Sequence, residues 1–453
     1  MYEILQRFLE EAPVAVMVRA TIVRTISGST LDEIFDRHAS DQYTRELTFS
    51  TLTELMSKVV FCMYPSVNTA YQQTPNIPVS ITSVYNKLNG VETEVSRQMV
   101  RQTAARMAEI VQQLAPRQSR LLPGYRVKII DGNHLAATEH RIEELRTIGG
   151  GPLPGHALVV LEPDRMLVTD VFPCEDGHAQ ERSVLPQVLP TVEKHDLWIA
   201  DRNFCTTSFL FGIDTRSAAF VIRQHRQTLH YELLGERRKI GRCPTGMIYE
   251  QKMRLKGVQG KWMEVRRITI ELKTPTRDGE TEIHLLSNLP PAVANARSVA
   301  NLYVYRWTVE KAFHELDQAL HGEIKTLGYP RAALLSFCVA LLAYNVISVI
   351  KTALAAVHRG EMKRESVSGY YLAGELAAAY HGMMIATSPA EWTRHFALLN
   401  PAEMARMLKL LAANVRPDRF RKNVRGPKKP APKRTSPKHH PHVSTARILA
   451  QRK

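Results

Sequence analysis

The feature that most constrains this chain is a change of hydrophobic period near residue 120. Before it, apolar residues recur at helical spacing, as at Leu52, Leu55 and Val59. After Pro123-Gly124, short β-branched runs alternate with turn residues and with helical stretches. The order predicts a helical region followed by an α/β sheet.

The pattern after residue 120 predicts a mixed sheet. We predict strands over 126–130, 156–161, 165–171, 197–200 and 218–222, with helices over 179–189 and 206–213. Three strands followed by alternating helices and strands fit parallel and antiparallel pairing in one sheet. Strand-like alternation continues over 226–289, and helical periodicity resumes near 292 and runs to about 411.

Positive charge is concentrated at the carboxyl end. The 453-residue chain has 60 Lys and Arg, 44 Asp and Glu, and a formal net charge of +16. Residues 416–453 hold thirteen basic residues and one acidic residue, with prolines between them. Such a composition buries too little apolar surface to fold by itself, so we predict a disordered tail. Its charge favours a nucleic acid partner, bound in a sequence-independent and salt-dependent way.

Cysteine usage and hydropathy indicate the cellular setting. Five cysteines are scattered without a CxxC pair, which argues against a disulfide framework and a thiolate zinc site and fits a reducing compartment. The apolar run 334–350 is shorter than the roughly 20 residues that a bilayer requires, and Ser336 and Asn345 interrupt it. We predict a buried core helix there, no signal peptide and no membrane partner.

Three carboxylates stand in contexts that suit catalysis. Asp131 and Asp201 each end an apolar strand, and Glu310 follows Tyr303 and Arg306 in a predicted helix. An aspartate after a strand is commonly a turn former, and a helical Glu near an Arg is usually a solvated pair, so each signal alone is weak. The spacing i, i+3, i+7 places Tyr303, Arg306 and Glu310 on one helix face. A phenol, a guanidinium and a carboxylate together suit a site for phosphates and a divalent metal.

These motifs resemble a known family. Ile130-Asp131-Gly132, Asp201-Arg202-Asn203-Phe204 and Tyr303-x2-Arg306-x3-Glu310, with Trp307 beside the arginine, are similar to the insertion-sequence DDE transposases of the insertion-sequence-4 family. The resemblance covers roughly residues 45–355 and extends to 281–288, which resembles the strand returning from the family's β-rich insertion. It implies a ribonuclease H-like core. Glu310 lies 109 positions after Asp201, which leaves room for that insertion.

The resemblance also implies a chemistry. Asp131, Asp201 and Glu310 would form the catalytic triad and hold two Mg²⁺ ions, with Mn²⁺ as a substitute, for phosphodiester cleavage and strand transfer. Tyr303 and Arg306 would contact DNA phosphate. The family has a Lys seven residues after the Glu, where this chain has Asp317. That contact is therefore lost, or it comes from one of three nearby basic residues, Lys311, Lys325 or Arg331.

Further DNA contacts are predicted outside the triad. Arg97, Arg101 and Arg106 lie on a basic amphipathic stretch of the amino-terminal region and are candidates for recognising transposon ends. Hairpin-forming members of the family hold a flipped base against an aromatic residue of the insertion. Trp262 and His284 are nearby candidates, but neither matches the family residue by residue, so hairpin formation stays open.

We therefore expect a ribonuclease H-like mixed α/β sheet interrupted by a β-strand insertion, with a helical amino-terminal region and a disordered basic tail. The expected regions are a helical DNA-binding region (1–120), the first part of the catalytic core (121–225), the β-rich insertion (226–289), the last part of the core with carboxyl-terminal helices (290–414) and the tail (415–453). The predicted activity is cut-and-paste transposition of double-stranded DNA by a synaptic homodimer, in the cytoplasm at the nucleoid.

Three alternatives remain open from the sequence. The chain could be an inactive or repurposed DNA-binding protein that keeps the transposase scaffold, or a metal-dependent nuclease without strand transfer. It could also be a structural protein in which Tyr303, Arg306 and Glu310 form a surface network. The mutual position of the three carboxylates and an assay for strand transfer distinguish these possibilities.

Overall fold

A computed structural model describes most of the chain. The described residues are 2–44, 46–115, 119–139, 142–145, 150–225, 229–258, 260–276, 278–423, 426 and 443–451.

The amino-terminal region is helical, as predicted. Serine or threonine side chains cap several of its helices by accepting a hydrogen bond from a backbone N–H of the first turn, as Ser27, Thr48 and Ser80 do. The helices are α1 (Tyr2–Glu11), α2 (Pro13–Thr25), α3 (Gly28–His38), α4 (Phe49–Val60), α5 (Val67–Gln72), α6 (Ile81–Gly90) and α7 (Thr93–Leu114).

The following segment forms a mixed sheet, also as predicted. Its strands are β1 (Arg126–His134), β2 (Pro152–Leu153), β3 (His156–Glu162), β4 (Leu167–Cys174), β5 (Asp196–Ala200) and β6 (Ala219–Arg223). β4, β3 and β1 pair antiparallel, whereas β1, β5 and β6 are parallel neighbours in the order β4-β3-β1-β5-β6. β2 lies outside this sheet.

The predicted helix over 179–189 is broken into three short pieces. A 3-10 turn (Glu181–Val184) leads into the four-residue α8 (Leu185–Val188) and a second 3-10 turn (Leu189–Thr191). Pro186 and Pro190 explain the interruption, because proline has no backbone N–H to continue an α-helical ladder. The next helix, α9 (Thr207–Asp214), agrees with the prediction.

The β-rich segment extends the same sheet. Its strands are β7 (Tyr231–Cys243), β8 (Gly246–Lys256), β9 (Trp262–Leu272) and β10 (Glu282–Ser287). They pair antiparallel with one another, and β10 pairs antiparallel with β6. The complete sheet has nine strands in the order β4-β3-β1-β5-β6-β10-β9-β8-β7.

The remaining chain is again helical. Its helices are α10 (Ala296–Val304), α11 (Trp307–Ala319), α12 (Pro330–Val357), α13 (Gly369–Ala386), α14 (Pro389–Phe396) and α15 (Pro401–Ala413). By length and composition α12 could cross a membrane, and so could α2 and α3 taken as one bent span, but the apolar window of α12 is entirely buried inside the protein. This burial is that of a core helix.

The central strands are covered on both faces. In β1, Ile129 belongs to a core cluster with residues of α7 and α12, whereas its neighbour Ile130 belongs to a second cluster with Trp198 and Phe209. Successive side chains of a strand point to opposite faces, so one apolar strand serves two cores.

β5 ends at Ala200, so Asp201 follows its carboxyl end, as predicted. β1 instead continues past Asp131 to His134 by antiparallel pairing with β3, so the prediction that the strand ends at Asp131 is wrong. Asp131 lies inside β1, directly after the point where its parallel pairing with β5 stops.

Part of the carboxyl-terminal tail differs from the prediction of disorder. β11 (Val443–Ser444) pairs parallel with β2, and α16 (Thr445–Ala450) follows it. The Ser444 hydroxyl donates to Asp176 Oδ1 at 2.6 Å, and Arg447 Nε lies 2.7 Å from Asp176 Oδ2. Backbone pairing and one shared carboxylate hold these residues against the folded protein. The basic residues of 427–442 lie outside the described residues.

Candidate active site

Asp131 and Asp201 are brought together by strand register. Ile130 of β1 is opposite Ala200 of the parallel strand β5, so the two aspartates occupy the next position on neighbouring strands. Neighbouring strands lie about 4.8 Å apart. Asp131 Oδ1 accepts a hydrogen bond from the N–H of Gly132 at 3.0 Å, and Asp201 Oδ1 accepts one from Arg202 at 2.6 Å. Both carboxylates are thus fixed at one edge of the sheet.

The predicted single helix carrying Tyr303, Arg306 and Glu310 is wrong. α10 ends at Val304, and Arg306 is the residue before α11. The N–H of Arg306 bonds to the carbonyl of Tyr303, and the N–H of Thr308 bonds to that of Tyr305, at 3.0 and 2.8 Å. These bonds span three residues, so the chain tightens into a 3-10 turn between the two helices.

The tightened turn places Arg306 between two carboxylates. Its Nη1 is 2.6 Å from Glu310 Oε1 and 3.5 Å from Asp131 Oδ2. The Arg306 side chain is only 9% exposed, and its guanidinium carbon lies 4.4 Å from the centre of the Trp307 ring. The structure therefore joins Asp131 and Glu310 through one buried cation.

Burial perturbs two groups of this site. Desolvation raises the pKa of Asp131 to about 7, opposed by Arg306 and the Gly132 N–H, while the negative charges of Glu181 and Glu310 raise it further. Burial also raises the pKa of Tyr303, and the charge of nearby Asp201 adds to this. Tyr303 is therefore a protonated hydrogen-bond donor at neutral pH.

Glu181 is a further carboxylate near Asp131, on the opposite face of β1, and the sequence interpretation missed it. A Cβ atom added to Gly132 would lie 2.0 Å from Glu181 Oε1, so the Glu181 carboxylate covers the residue next to Asp131. Asn203 Nδ2 donates to Glu181 Oε2 at 3.4 Å. With His134 and His178, Glu181 and Asn203 line a cavity of about 360 Å³. The only sequence signal was Gly132 itself, because a glycine after a strand-end aspartate permits close approach.

The basic residues proposed to replace the family's lysine have different surroundings. Lys311 is exposed on α11, as is Asp317. Lys325 Nζ lies 2.7 Å from Glu139 Oε1, and Arg331 Nε lies 3.0 Å from Glu175 Oε1. Among the three, Lys311 shares a helix with Glu310, and its phosphate contact stays a prediction.

The arginines of α7 make contacts inside the protein. Arg97 and Arg101 both pair with the buried carboxylate of Asp170, at 3.1 and 3.4 Å, and Arg106 donates to the Thr30 hydroxyl at 2.6 Å. Only 13% of the Arg97 side chain is exposed, and its guanidinium covers the Phe172 ring. The structure thus gives Arg97 a role in joining α7 to β4, and DNA recognition by these arginines stays a prediction.

The two candidates in the insertion lie on different strands. Trp262, at the start of β9, is 37% exposed, and the Arg254 guanidinium lies 4.4 Å from the centre of its ring. His284 in β10 is hydrogen-bonded through Nδ1 to the Thr269 hydroxyl at 3.0 Å. A base-holding role stays a prediction for both.

The donor atoms of the site suit a hard cation. Mg²⁺ and Mn²⁺ prefer oxygen ligands, and Asp131, Asp201 and Glu310 all offer carboxylate oxygen. Within the described part of the chain, however, no three His, Cys, Asp or Glu side chains are grouped as a metal-binding set. The oxygen donors therefore suit a divalent metal by their chemistry. In this structure, however, the Arg306 guanidinium lies between Asp131 and Glu310 and separates these two carboxylates.

Comparison with known proteins gives one family match. Residues 122–346, just under half of the chain, match the family model of the transposase DDE domain. This segment contains Asp131, Asp201 and Glu310. The match supports identifying the chain as a DDE transposase, an enzyme class that cleaves nucleic acid. A comparison with curated proteins found no match.

Proposed function

We propose that this protein is a cut-and-paste transposase of the insertion-sequence-4 type, which cleaves DNA at transposon ends and joins them to a target. The observation that carries the proposal is the meeting of Asp131, Arg306 and Glu310, with Asp201 on the adjoining strand, inside the segment that matches the transposase DDE domain. Arg306 and Glu310 are thereby brought to Asp131 although they follow it by 175 and 179 positions in the sequence.

The side chains suggest a division of roles. Asp131, Asp201 and Glu310 would hold divalent metal, which when bound supplies charge neutralisation at the scissile phosphate and an activated attacking oxygen. Arg306 would release its carboxylates and donate to a DNA phosphate, because a guanidinium binds phosphate oxygens as a two-pronged donor. Tyr303, whose phenol is protonated at neutral pH, would donate to the same or an adjacent phosphate. Lys311 would contact the DNA from the exposed face of α11.

Several features support the wider proposal. The mixed pairing of β1, β3, β4, β5 and β6 agrees with a ribonuclease H-like core, and β7–β9 between β6 and α10 agree with a β-rich insertion. We propose double-stranded DNA as the partner of the basic tail. Since two transposon ends are cut and joined together, we also propose a homodimer in the synaptic complex and Mg²⁺ as the physiological metal.

The test is excision from a plasmid that carries the coding region with its flanking DNA. We expect the wild-type protein to cut at the element's ends only when Mg²⁺ or Mn²⁺ is added. Asp131→Asn, Asp201→Asn and Glu310→Gln should each reduce cleavage on the order of a thousandfold or more, with DNA binding retained. Glu193→Gln is the matched control, because that carboxylate lies just before β5, at the opposite end from Asp201.

The products separate the alternatives. Joined products in a target plasmid support transposition, whereas cleavage without joining identifies a nuclease. DNA binding without metal-dependent cleavage identifies a repurposed binding protein. Wild-type rates in the Asp131→Asn or Glu310→Gln protein would refute the assignment of the triad.

A further inference from the structure

Another cavity lies among the helices. Its lining comes from α2, α3, α4, α12, α13 and α14 and the residues next to them, and its volume is about 350 Å³. A cavity of about 150 Å³ can hold benzene, so this space suits a ligand of roughly a dozen non-hydrogen atoms. Gly28, Ser29 and Glu54 belong to the lining and are exposed, which gives a ligand a route from solvent.

One wall of this cavity is apolar. Its buried side chains are those of Val23, Ile26, Leu31, Phe61 and Leu342. Hydroxyl groups of α3 and α4 complete the lining. Sites for small molecules typically combine apolar walls with a few polar groups that fix the orientation of the ligand. A ligand with an aliphatic or aromatic body would therefore gain free energy by leaving water for this wall.

The charged groups of the cavity leave one cation unmatched. Lys58 and Glu54 line the cavity as a pair, with Lys58 Nζ 3.1 Å from Glu54 Oε1. Arg19 is the third charged residue of the lining, so two cations stand against one anion. In the described part of the chain Arg19 has no ion-pair partner, and its Nε is buried without a hydrogen-bond partner. Because an unpartnered buried donor costs free energy, an anionic acceptor bound here would be favourable.

A second donor lies near Arg19. Tyr380 of α13 belongs to the same lining, and its phenol is close enough to Arg19 for the guanidinium charge to act on its ionisation. A phenol is protonated at neutral pH, so the Tyr380 hydroxyl can donate a hydrogen bond. A guanidinium and a hydroxyl together suit a carboxylate, whose two oxygens accept several hydrogen bonds.

We propose that this cavity binds a small organic carboxylate with an apolar body, held at its carboxylate by Arg19 and Tyr380. The inference goes beyond the proposed function, because it concerns a ligand site among the helices and not the cleavage of DNA. Arg19 belongs to the amino-terminal helices and Tyr380 to the carboxyl-terminal ones. A ligand that contacts both would join the two groups of helices and stabilise the folded protein by mass action.

The test compares two probes, 4-phenylbutyrate and 4-phenylbutanamide. They have the same number of non-hydrogen atoms and differ in charge, and their binding to the full-length protein is measured by calorimetry. We expect the carboxylate to bind on the order of tenfold more tightly than the amide, because hydrogen bonds to charged groups are the stronger ones. Arg19→Met should abolish this preference. Tyr380→Phe should weaken carboxylate binding by a smaller factor.

Two further variants locate the probes. Ser57 lines the cavity, so the larger side chain of Ser57→Leu should fill part of it and abolish binding of both probes. Arg37→Met is the matched control for Arg19→Met, since Arg37 is exposed on α3 outside the lining, and it should bind as the wild-type protein does. Circular dichroism checks the folding of each variant.

Each outcome decides one part of the proposal. Equal affinity for the two probes, or an undiminished preference in Arg19→Met, would overturn the recognition of a carboxylate. Absence of binding by either probe at millimolar concentration would overturn the ligand site, and so would unchanged binding in Ser57→Leu. Should Arg19→Met fail to fold, the comparison of the two probes on the wild-type protein and on Ser57→Leu decides the question.

Discussion

The ion pair between Lys351 of α12 and Glu315 of α11 should be a large contributor to stability. The two side chains are 7% and 17% exposed, and Lys351 Nζ bonds directly to Glu315 Oε1. Glu315 cannot turn toward solvent freely, because its Oε1 lies 2.0 Å from where a Cβ on Gly369 would be. Lys351→Met would therefore leave a buried carboxylate without a partner. We expect a loss of about 3 kcal/mol, at the lower end of the range for breaking buried pairs because Glu315 keeps some solvent contact.

Urea unfolding followed by circular dichroism and by tryptophan fluorescence measures this loss, and coincidence of the two curves checks that the transition is cooperative. Replacing both partners, as Lys351→Met with Glu315→Leu, removes the unpaired charge. The double variant should recover to within about 1 kcal/mol of the wild-type protein. A loss below about 1 kcal/mol for Lys351→Met, or a double variant as unstable as the single one, would refute the reasoning.

Three further predictions follow from other contacts. Burial raises the pKa of Glu323 from 4.5 to about 7. The native state therefore loses stability as the pH rises from roughly 5 to 8, because the unfolded carboxyl group ionises at lower pH than the native one. Thermal melts of Glu323→Gln should show this loss of stability reduced by roughly 2 kcal/mol, and a pH profile unchanged from wild type would contradict the prediction. Arg97→Met should destabilise the protein by about 2 kcal/mol in urea, since the buried Asp170 carboxylate would keep only the longer ion pair with Arg101 and the hydrogen bond from the Val171 N–H. Gel-shift affinity for DNA should change less than about twofold, and a selective loss of DNA binding would restore the predicted DNA role of Arg97. Replacing the basic residues of 428–438 by Gln and Ser should weaken binding to all DNA sequences and flatten the dependence of log K on log salt, and an unchanged slope would exclude a phosphate contact there.

Period and strand-end position predicted much of the fold. The change of hydrophobic period near residue 120 located the boundary between the helices and the sheet. Helices bury one side, whereas the apolar residues of β1 face two different cores, so the two kinds of element differ in sequence pattern. The meeting of Asp131 and Asp201 could be predicted, since both come directly after the parallel-paired stretch of neighbouring strands, although β1 continues beyond Asp131 to His134. The strand connecting the insertion to the last helices was likewise predictable from its alternation, and β10 occupies Glu282–Ser287.

Other features required tertiary structure. The spacing of Tyr303, Arg306 and Glu310 suits one helix, yet the chain forms a 3-10 turn at Tyr305 and Arg306. The backbone hydrogen bonds there span three residues instead of four, and the hydrophobic periodicity of a sequence does not distinguish these two patterns. No local sequence pattern marks Glu181, because its carboxylate fills the space that a side chain at Gly132 would occupy, and Gly132 is distant from it in the sequence. Arg97 looked available for DNA because nothing in its own helix indicates that Asp170, 73 positions later, lies opposite it.

The nine-stranded sheet has a mechanical consequence. Leu285, Leu286 and Ser287 of β10 are in register with Arg223, Ile222 and Val221 of β6, one strand away from the strand that ends at Asp201. If the inserted strands moved as a rigid lid about the junction of β10 and β6, the main-chain hydrogen bonds between these two strands would have to break. We therefore expect the inserted strands to move over bound DNA by a change in sheet twist that neighbouring strands share. A force applied at β7, the far edge of the sheet, would then shift the position of Asp201.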